Sequence, residues 1–351
     1  MASGLDPARY RPLVVLAMDG ELREDLQAAG VEVLVRPLAV LRRAALSPGG
    51  LARIGGTLAR DAGGVARLAR TRGAALVHSN TSVTLGGAAA ARVARIPHVW
   101  HVREIYAGFE RFWQTYRRLL LTADALPCVS EATRAQFGAD ARAVVLHDGL
   151  AVAPVRAERA AARAALGLPA GPFVCAILGR ISSWKGQDVL IRALADLDGV
   201  IALVAGDPWQ GEERRLQELR ALATSLGVAE RVRFAGFRRD VDNVYGAADV
   251  VAVPSTQPDP LPNSALEAAA AGCCVVAAAH GGLPEIVEDG VSGCLVAPGD
   301  PAALAAALAQ LRDDPGQRER LGAAAAADVR ERFAPARLLA RTQALYDELL
   351  G

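Results

Sequence analysis

From residue 12 onward, short apolar runs alternate with longer stretches whose apolar positions recur at helical spacing. Residues 12–17, 31–36, 74–78, 97–101, 125–129 and 143–146 read as strands. Residues 20–29, 50–70, 82–95, 111–122 and 130–137 read as the helices between them, with Ser82 and Ser130 as caps. Residues 147–154 (HDGLAVAP) break the rhythm and form a hinge. The alternation then restarts, with strands at 173–178, 200–205, 231–235, 250–253, 273–278 and 294–296. Helices are expected at 185–194, 212–226, 241–247 and 263–271, and the tail from 301 to 350 is helical in three pieces. Repeated strand-then-helix order implies parallel sheets covered on both faces. The expected fold class is α/β, with two doubly wound domains, 1–148 and 149–334. Ligands of such sheets bind outside the carboxyl ends of the strands, so two of them suit a two-substrate enzyme better than a one-site binder.

One stretch in the second half gathers chemistry. In Asp259-Pro-Leu-Pro-Asn-Ser-Ala-Leu-Glu267 an acidic loop residue precedes a carboxylate in a helical first turn by eight positions. Asn263 or Ser264 can cap that helix, and Ser264-x-x-Glu267 has the form of a capping box. An apolar run, 273–279, then leads into His280-Gly281-Gly282. A strand ending in Gly-Gly beside a helix N-terminus can hold an anion or a sugar. The plainer alternative is that Glu267 only caps and Asp259 is a solvated charge.

Composition narrows the classes. At 351 residues, 52% hydrophobic and 22% charged, the chain suits about two globular domains. A net charge of +1 implies no global attraction to nucleic acid. The charge is uneven, since residues 1–150 carry 19 Arg against 13 acidic residues. That basic half permits contact with an anionic partner such as a phospholipid surface or a lipid-linked phosphate, or is simply a solvated arginine-rich face. Among 39 basic residues a single lysine, Lys185, stands out, which makes it a candidate for a role needing a compact ammonium. The five cysteines show no metal-ligand spacing and read as reduced, structural residues. No signal-peptide pattern opens the chain, and no uncharged apolar run reaches the roughly 18 residues needed to span a bilayer. A cytoplasmic protein is expected.

Gly179-Arg180-Ile-Ser-Ser-Trp-Lys185-Gly186 follows a predicted strand and opens a helix. Arg180 and Lys185 across a strand-to-helix turn can both reach one diphosphate, with the helix N-terminus assisting. Together with Ala205-Gly206-Asp207, Val232-Arg-Phe-Ala-Gly236-Phe, Ala248-Asp249-Val to Pro254-Ser255, the 259–267 stretch, Gly272-Cys-Cys-Val-Val-Ala and Gly281-Gly282-x-x-Glu285, it makes seven landmarks in one order. This succession resembles the retaining GT-B glycosyltransferases of family four, which have two Rossmann-like domains and use nucleotide-sugar donors. In the first half, V-H-S-N-T-S and I-P-H-V-W-H-V-R-E resemble bacterial polysaccharide glycosyltransferases.

The resemblance implies roles position by position. Arg180 and Lys185, in the turn opened by Gly179, would hold the donor diphosphate. Glu267 would bind the ribose hydroxyls. Asp259 would touch the donor sugar, where the family usually has the longer Glu, which calls for a different sugar or pose. Backbone N–H groups from Leu261 to Ser264, including Asn263, would touch sugar and phosphate, and Pro262 cannot donate. Gly281 and Gly282 would admit the sugar closely, Glu285 completes their landmark, and the segment 233–237, with Phe234, would line the base. For the family's histidine in the first domain, residue identity favours His101 and strict spacing favours Arg103. No catalytic metal is expected, because Asp240-Val-Asp242 and Asp196-Leu-Asp198 lie outside the diphosphate turn. The last helix, 335–351, would cross back onto the first domain. The family's first strand, glycine-rich loop and helix have no counterpart before residue 12, and a late start site is expected.

The function implied is transfer of a sugar to a glycan or lipid-linked acceptor in bacterial cell-envelope or exopolysaccharide synthesis, without a cofactor. It would take place in the cytoplasm, with peripheral contact at the inner face of the plasma membrane open. Two rivals stand: a nucleotide-sugar epimerase of the same architecture, and a non-catalytic nucleotide-sugar-binding partner subunit.

Overall fold

A computed structural model of the chain describes residues 1–41, 48–209 and 211–351. It forms two compact units, Met1–Gly149 with Pro335–Gly351, and Leu150–Ala334.

The first unit carries strands β1 (Leu13–Leu16), β2 (Glu32–Val35), β3 (Val77–Ser79), β4 (His98–Trp100), β5 (Leu126–Cys128) and β6 (Ala143–Val145). Its helices are α1 (Glu21–Ala28), α2 (Pro48–Thr71), α3 (Gly86–Ala94), α4 (Glu110–Leu120) and α5 (Glu131–Arg134). All strand pairing is parallel, as β1–β2, β3–β4 and β5–β6, and single bridges at Val99–Ala125 and Val102–Cys128 join β4 to β5. No ladder joins β1 to β3 among the described residues. Trp100, Leu120, Leu126 and Phe137 are fully buried at the centre of this unit. Ser130 caps α5 as expected, its hydroxyl accepting from the Thr133 N–H at 3.1 Å. Ser82 does not cap. Helix α3 starts four residues later, at Gly86, and the Ser82 hydroxyl instead meets Glu104 and Tyr106. The last helix (Pro335–Leu350, α13 below) packs on this unit, with Tyr346 against Val99 and Ala125 and the Tyr10 hydroxyl on Asp347 at 2.7 Å.

The second unit holds β7 (Phe173–Leu178), β8 (Val200–Ala205), β9 (Val232–Gly236), β10 (Val250–Val253), β11 (Cys274–Ala278) and β12 (Cys294–Val296). They form one parallel six-stranded sheet in the order β12-β11-β10-β7-β8-β9. Its helices are α6 (Arg159–Ala165), α7 (Gln187–Ala193), α8 (Glu213–Ser225), α9 (Val241–Ala247), α10 (Asn263–Ala270), α11 (Pro301–Asp313) and α12 (Pro315–Arg332). Central strands such as β7 (FVCAIL), β10 (VVAV) and β11 (CVVAA) are continuous apolar runs because both faces of the sheet are covered. Leu190, Leu194, Leu219, Leu304 and Leu308 are fully buried between this sheet and α7, α8 and α11. Each contributes about 1.5–3 kcal/mol relative to exposure.

Helix α6 was not foreseen. Its sequence, RAAARAA, offers no apolar stripe, and its cap is Glu158, whose carboxylate accepts from the N–H groups of Ala160 and Ala161, both at 2.8 Å. What fixes it is a buried carboxylate, Asp249, just before β10. One oxygen accepts from Arg163 at 2.8 Å and from the Val174 N–H at 2.7 Å, and the other takes Arg159. The Arg163 and Asp249 side chains are each 2% exposed. Removing one partner of a buried pair strands the other, at a cost of about 3–5 kcal/mol. Asp249→Ala should therefore destabilise the second unit by that order in denaturant unfolding, and a loss below about 1 kcal/mol would contradict the assignment.

Candidate active site

Parallel strands place every carboxyl end on one edge of the sheet. In the second unit the strand order reverses between β7 and β10, the kind of switch point at which ligands of such sheets bind. The loops after β7, β8, β10 and β11 are stitched together at this edge. The Ile181 N–H donates to the Asp207 carbonyl at 2.9 Å, and the Thr256 N–H to the Trp184 carbonyl at 2.7 Å. The Gly282 N–H donates to the Asp259 carbonyl at 2.8 Å. Two glycines make this closeness possible. Gly186 has φ +81°, and a Cβ there would lie 1.9 Å from the Pro254 oxygen. Gly281 has φ +61°, and a Cβ would lie 2.4 Å from the Asp259 oxygen. Gly281 and Gly282 thus lie against the Asp259–Pro260 backbone.

Lys185 and Asp259, 74 positions apart in the chain, meet at this edge. The Lys185 ammonium donates to Asp259 Oδ2 at 2.6 Å and stands 4.4 Å from the centre of the Trp184 ring. The Asp259 side chain is 7% exposed and that of Lys185 22%. Arg180, in the same loop and exposed, lays its guanidinium over Trp209 at 4.1 Å. Its backbone carbonyl accepts from Gln187 Nε2 at 3.0 Å. Gly179 follows β7 just before it, its N–H donating to the Ala205 carbonyl at 3.0 Å.

Helix α10 begins at Asn263, with Pro262 at the N-cap and no side-chain cap. The expected capping box is therefore absent. Ser264 sits one residue inside the helix, and Glu267 is too far along to reach back. The Glu267 carboxylate instead accepts from the Tyr245 hydroxyl at 2.9 Å. Burial pushes the Glu267 carboxyl above its ordinary value, and the Tyr245 hydrogen bond pulls it down by less. Asn263 is exposed and Ser264 half-buried in the first turn, where helix N–H groups lack intrahelical partners. Leu261 is 8% exposed. Glu285 closes a short 3-10 turn, Leu283–Glu285, and its carbonyl accepts from Arg332 at 2.8 Å.

Phe234 packs against the core beneath Arg220, 4.9 Å from its ring centre, and is no open platform; in the same segment the exposed ring is Phe237, at 67%. Alternation along β9 sends Phe234 toward α8, whereas Phe237 lies past the strand end. In the first unit His101 follows β4 and is fully buried, 5.5 Å from the His78 ring. Arg103 makes a bidentate pair with Asp148, one arm at 2.7 Å, and its Nε donates to Asn80 at 3.4 Å. The Asp240 and Asp242 carboxylates are engaged by Arg238, by Asn243 and by the Val155 N–H. Sequence reading singled out neither Trp184 nor Trp209. The signal was there, since the chain has only four tryptophans and two of them fall in these loops.

Comparison with known proteins bears on both units. Residues 158–328 match the family model described as glycosyl transferases group 1, and residues 1–153 match that of glycosyltransferase family 4. The structure resembles that of Anabaena Alr3699/HepE, solved in complex with UDP and glucose, with TM-score 0.82 and 31% identity over 98% of this chain and 93% of that one. Sucrose-phosphate synthase of Thermosynechococcus elongatus shares the fold at TM-score 0.76 and 22% identity, covering 99% and 96%. A D-inositol 3-phosphate glycosyltransferase of Mycobacterium sp. (strain KMS) is 50% identical over 141 residues, 40% of this chain and 32% of that protein. The chain thus spans about a third of the length of that curated relative. Among the described residues no helix is long and apolar enough to cross a membrane.

The buried imidazoles generate a prediction. Burial first of all lowers His78 to about 3 and His98 to about 4 from an ordinary 6.5. Arg103 depresses His78 further, whereas Asp124 opposes the shift at His98. Between pH 6.5 and about 4 the unfolded chain binds protons that these folded groups refuse. Their stabilisation is thus whole above 6.5 and is lost as pH falls. Glu267, with its carboxyl raised, acts with the opposite sign, so the variant comparison isolates the histidines. His98→Asn should flatten the fall in melting temperature from pH 7 to 4.5, and an unchanged slope would contradict a neutral buried His98.

Proposed function

We propose that this chain, whose residues 158–328 match the group 1 glycosyltransferase model and whose residues 1–153 match that of family 4, moves a sugar from a nucleotide-diphosphate donor to an acceptor hydroxyl with retention of configuration. The observation that carries the reading is Lys185 held on Asp259 at 2.6 Å, beside the stacked Arg180, on the carboxyl edge of the second sheet. The structures of Alr3699/HepE with UDP and with UDP-glucose support a donor of that class.

An ammonium has three donors, so Lys185 can keep Asp259 and still give two hydrogen bonds to a diphosphate. Arg180 adds a planar fork, and the first turn of α10 adds N–H groups. In the proposed reaction the bond from the anomeric carbon to the diphosphate oxygen breaks, and the acceptor oxygen bonds that carbon on the same face. The acceptor proton passes to the departing phosphate oxygen. Arg180 and Lys185 stabilise the charge that grows there, with no metal assigned to the step. The free oxygen of Asp259 is assigned to the donor sugar, and Glu267, oriented by Tyr245, to the ribose hydroxyls.

The second unit is assigned the donor and the first the acceptor, a glycan or lipid-linked hydroxyl of envelope or exopolysaccharide synthesis. A nucleotide-sugar donor suits a reaction in the cytoplasm, and the arginine surplus of the first unit suits peripheral contact with an anionic membrane face.

A thermal-shift panel with UDP, GDP, ADP and dTDP tests the reading, because binding to the folded state raises the melting temperature. One nucleotide should raise it, and Lys185→Ala should weaken that nucleotide roughly ten- to a hundredfold, the loss of a charge-assisted hydrogen bond. The matching nucleotide sugar should then give a product of unchanged anomeric configuration by NMR. No shift with any nucleotide, or an inverted product, would overturn it.

A further inference from the structure

Arg180, like Arg220 over Phe234 and Arg318 over Phe173, lies over an aromatic ring, and it contrasts with the arginines of this unit that pair with acids. Arg159, Arg163, Arg215, Arg238, Arg312 and Arg332 all face carboxylates. Among the described residues no carboxylate faces the Arg180 guanidinium, which lies over the Trp209 ring at 4.1 Å. Trp209 itself is 56% exposed, too open for a core residue. Its loop is anchored to the diphosphate turn by the backbone, through the Ile181–Pro208 bridge and the Ile181 N–H on the Asp207 carbonyl at 2.9 Å.

We infer that Trp209 is a positioning residue: its ring holds the Arg180 guanidinium at the sheet edge so that the in-plane N–H groups meet the donor diphosphate. The inference deepens the donor-site reading and rests on it.

The chemistry is specific. A guanidinium can stack its face on an aromatic ring while all five N–H donors stay in the plane, free for an anion. A carboxylate partner would occupy that fork and cancel the charge; an indole does neither. A free arginine side chain is floppy, and fixing it before the ligand arrives lowers the entropy lost on binding. Lys185 shares the aromatic half of this arrangement, its ammonium 4.4 Å from the Trp184 ring centre, while it also holds Asp259. The two cations assigned to the diphosphate thus each rest on one of the four tryptophans. Trp184 lies deeper, and its carbonyl carries the Thr256 contact, so Trp209 is the ring that can be changed with less risk to folding.

The test is a double-mutant cycle on the full chain, with UDP, GDP, ADP and dTDP each titrated by calorimetry. Trp209→Leu should weaken the bound nucleotide about five- to twentyfold, from loss of the ring's attraction and of the ordered arginine. Trp209→Phe should restore most of that affinity, because an aromatic face is kept. In an Arg180→Ala background Trp209→Leu should cost less than twofold, because the ring then has nothing to hold. Equal losses in both backgrounds would overturn the inference and mean that the ring touches the ligand directly. Unchanged affinity in Trp209→Leu, or in Arg180→Ala, would overturn it too, while leaving a nucleotide site in place. If none of the four nucleotides binds the unmodified chain, the donor reading falls and takes this inference with it.

Discussion

Close backbone contact at the carboxyl edge of the second sheet is the constraint on which the candidate site depends. Residue 186 cannot carry a Cβ without meeting the Pro254 oxygen at 1.9 Å, nor residue 281 without meeting the Asp259 oxygen at 2.4 Å. With glycine at both places, the loops that follow β7, β10 and β11 lie directly on one another. That contact brings Lys185 to Asp259 across the switch in strand order. A larger residue at either glycine would separate the loops and, with them, the charges. The site is a consequence of packing before it is a set of functional side chains.

Charge is handled differently at this edge and away from it. Asp249 satisfies two arginines and a backbone N–H and is sealed from solvent, which suits a group whose task is to pin α6 to the sheet. At the edge, Asp259 takes one donor of a three-donor ammonium, and Arg180 is held by an aromatic face. Both arrangements fix a cation while leaving hydrogen-bonding capacity unspent. Unspent donors held in place are what an incoming diphosphate requires.

Much of this was legible in the sequence, and unevenly so. The strands of the second unit fell where continuous Val, Ile, Ala and Cys runs placed them, because a strand covered on both faces has little freedom in composition. Gly179-Arg180 to Lys185-Gly186 marked the edge, and the single lysine marked one of its charges. Local pattern misled where a neighbour outcompeted it. Ser264-x-x-Glu267 matches a capping box, yet Pro262 takes the cap position and Tyr245 takes the glutamate. Residue identity picked out His101 at the end of β4, but its burial beside His78 is a product of packing that the local motif does not show. The Lys185–Asp259 pair and the Arg180–Trp209 stack were invisible for a plainer reason. Neither is local in the chain, and only the folded loops bring the partners together.

A crystal structure of the second unit's site, determined on the full chain with the nucleoside diphosphate that stabilises it, tests the central claim most directly. The account predicts diphosphate oxygens within hydrogen-bonding distance of Lys185 Nζ and the Arg180 guanidinium, with Asp259 still on Lys185 and Glu267 turned toward the ribose. A diphosphate bound away from Arg180 and Lys185, or an unchanged loop edge with the nucleotide elsewhere, would contradict it.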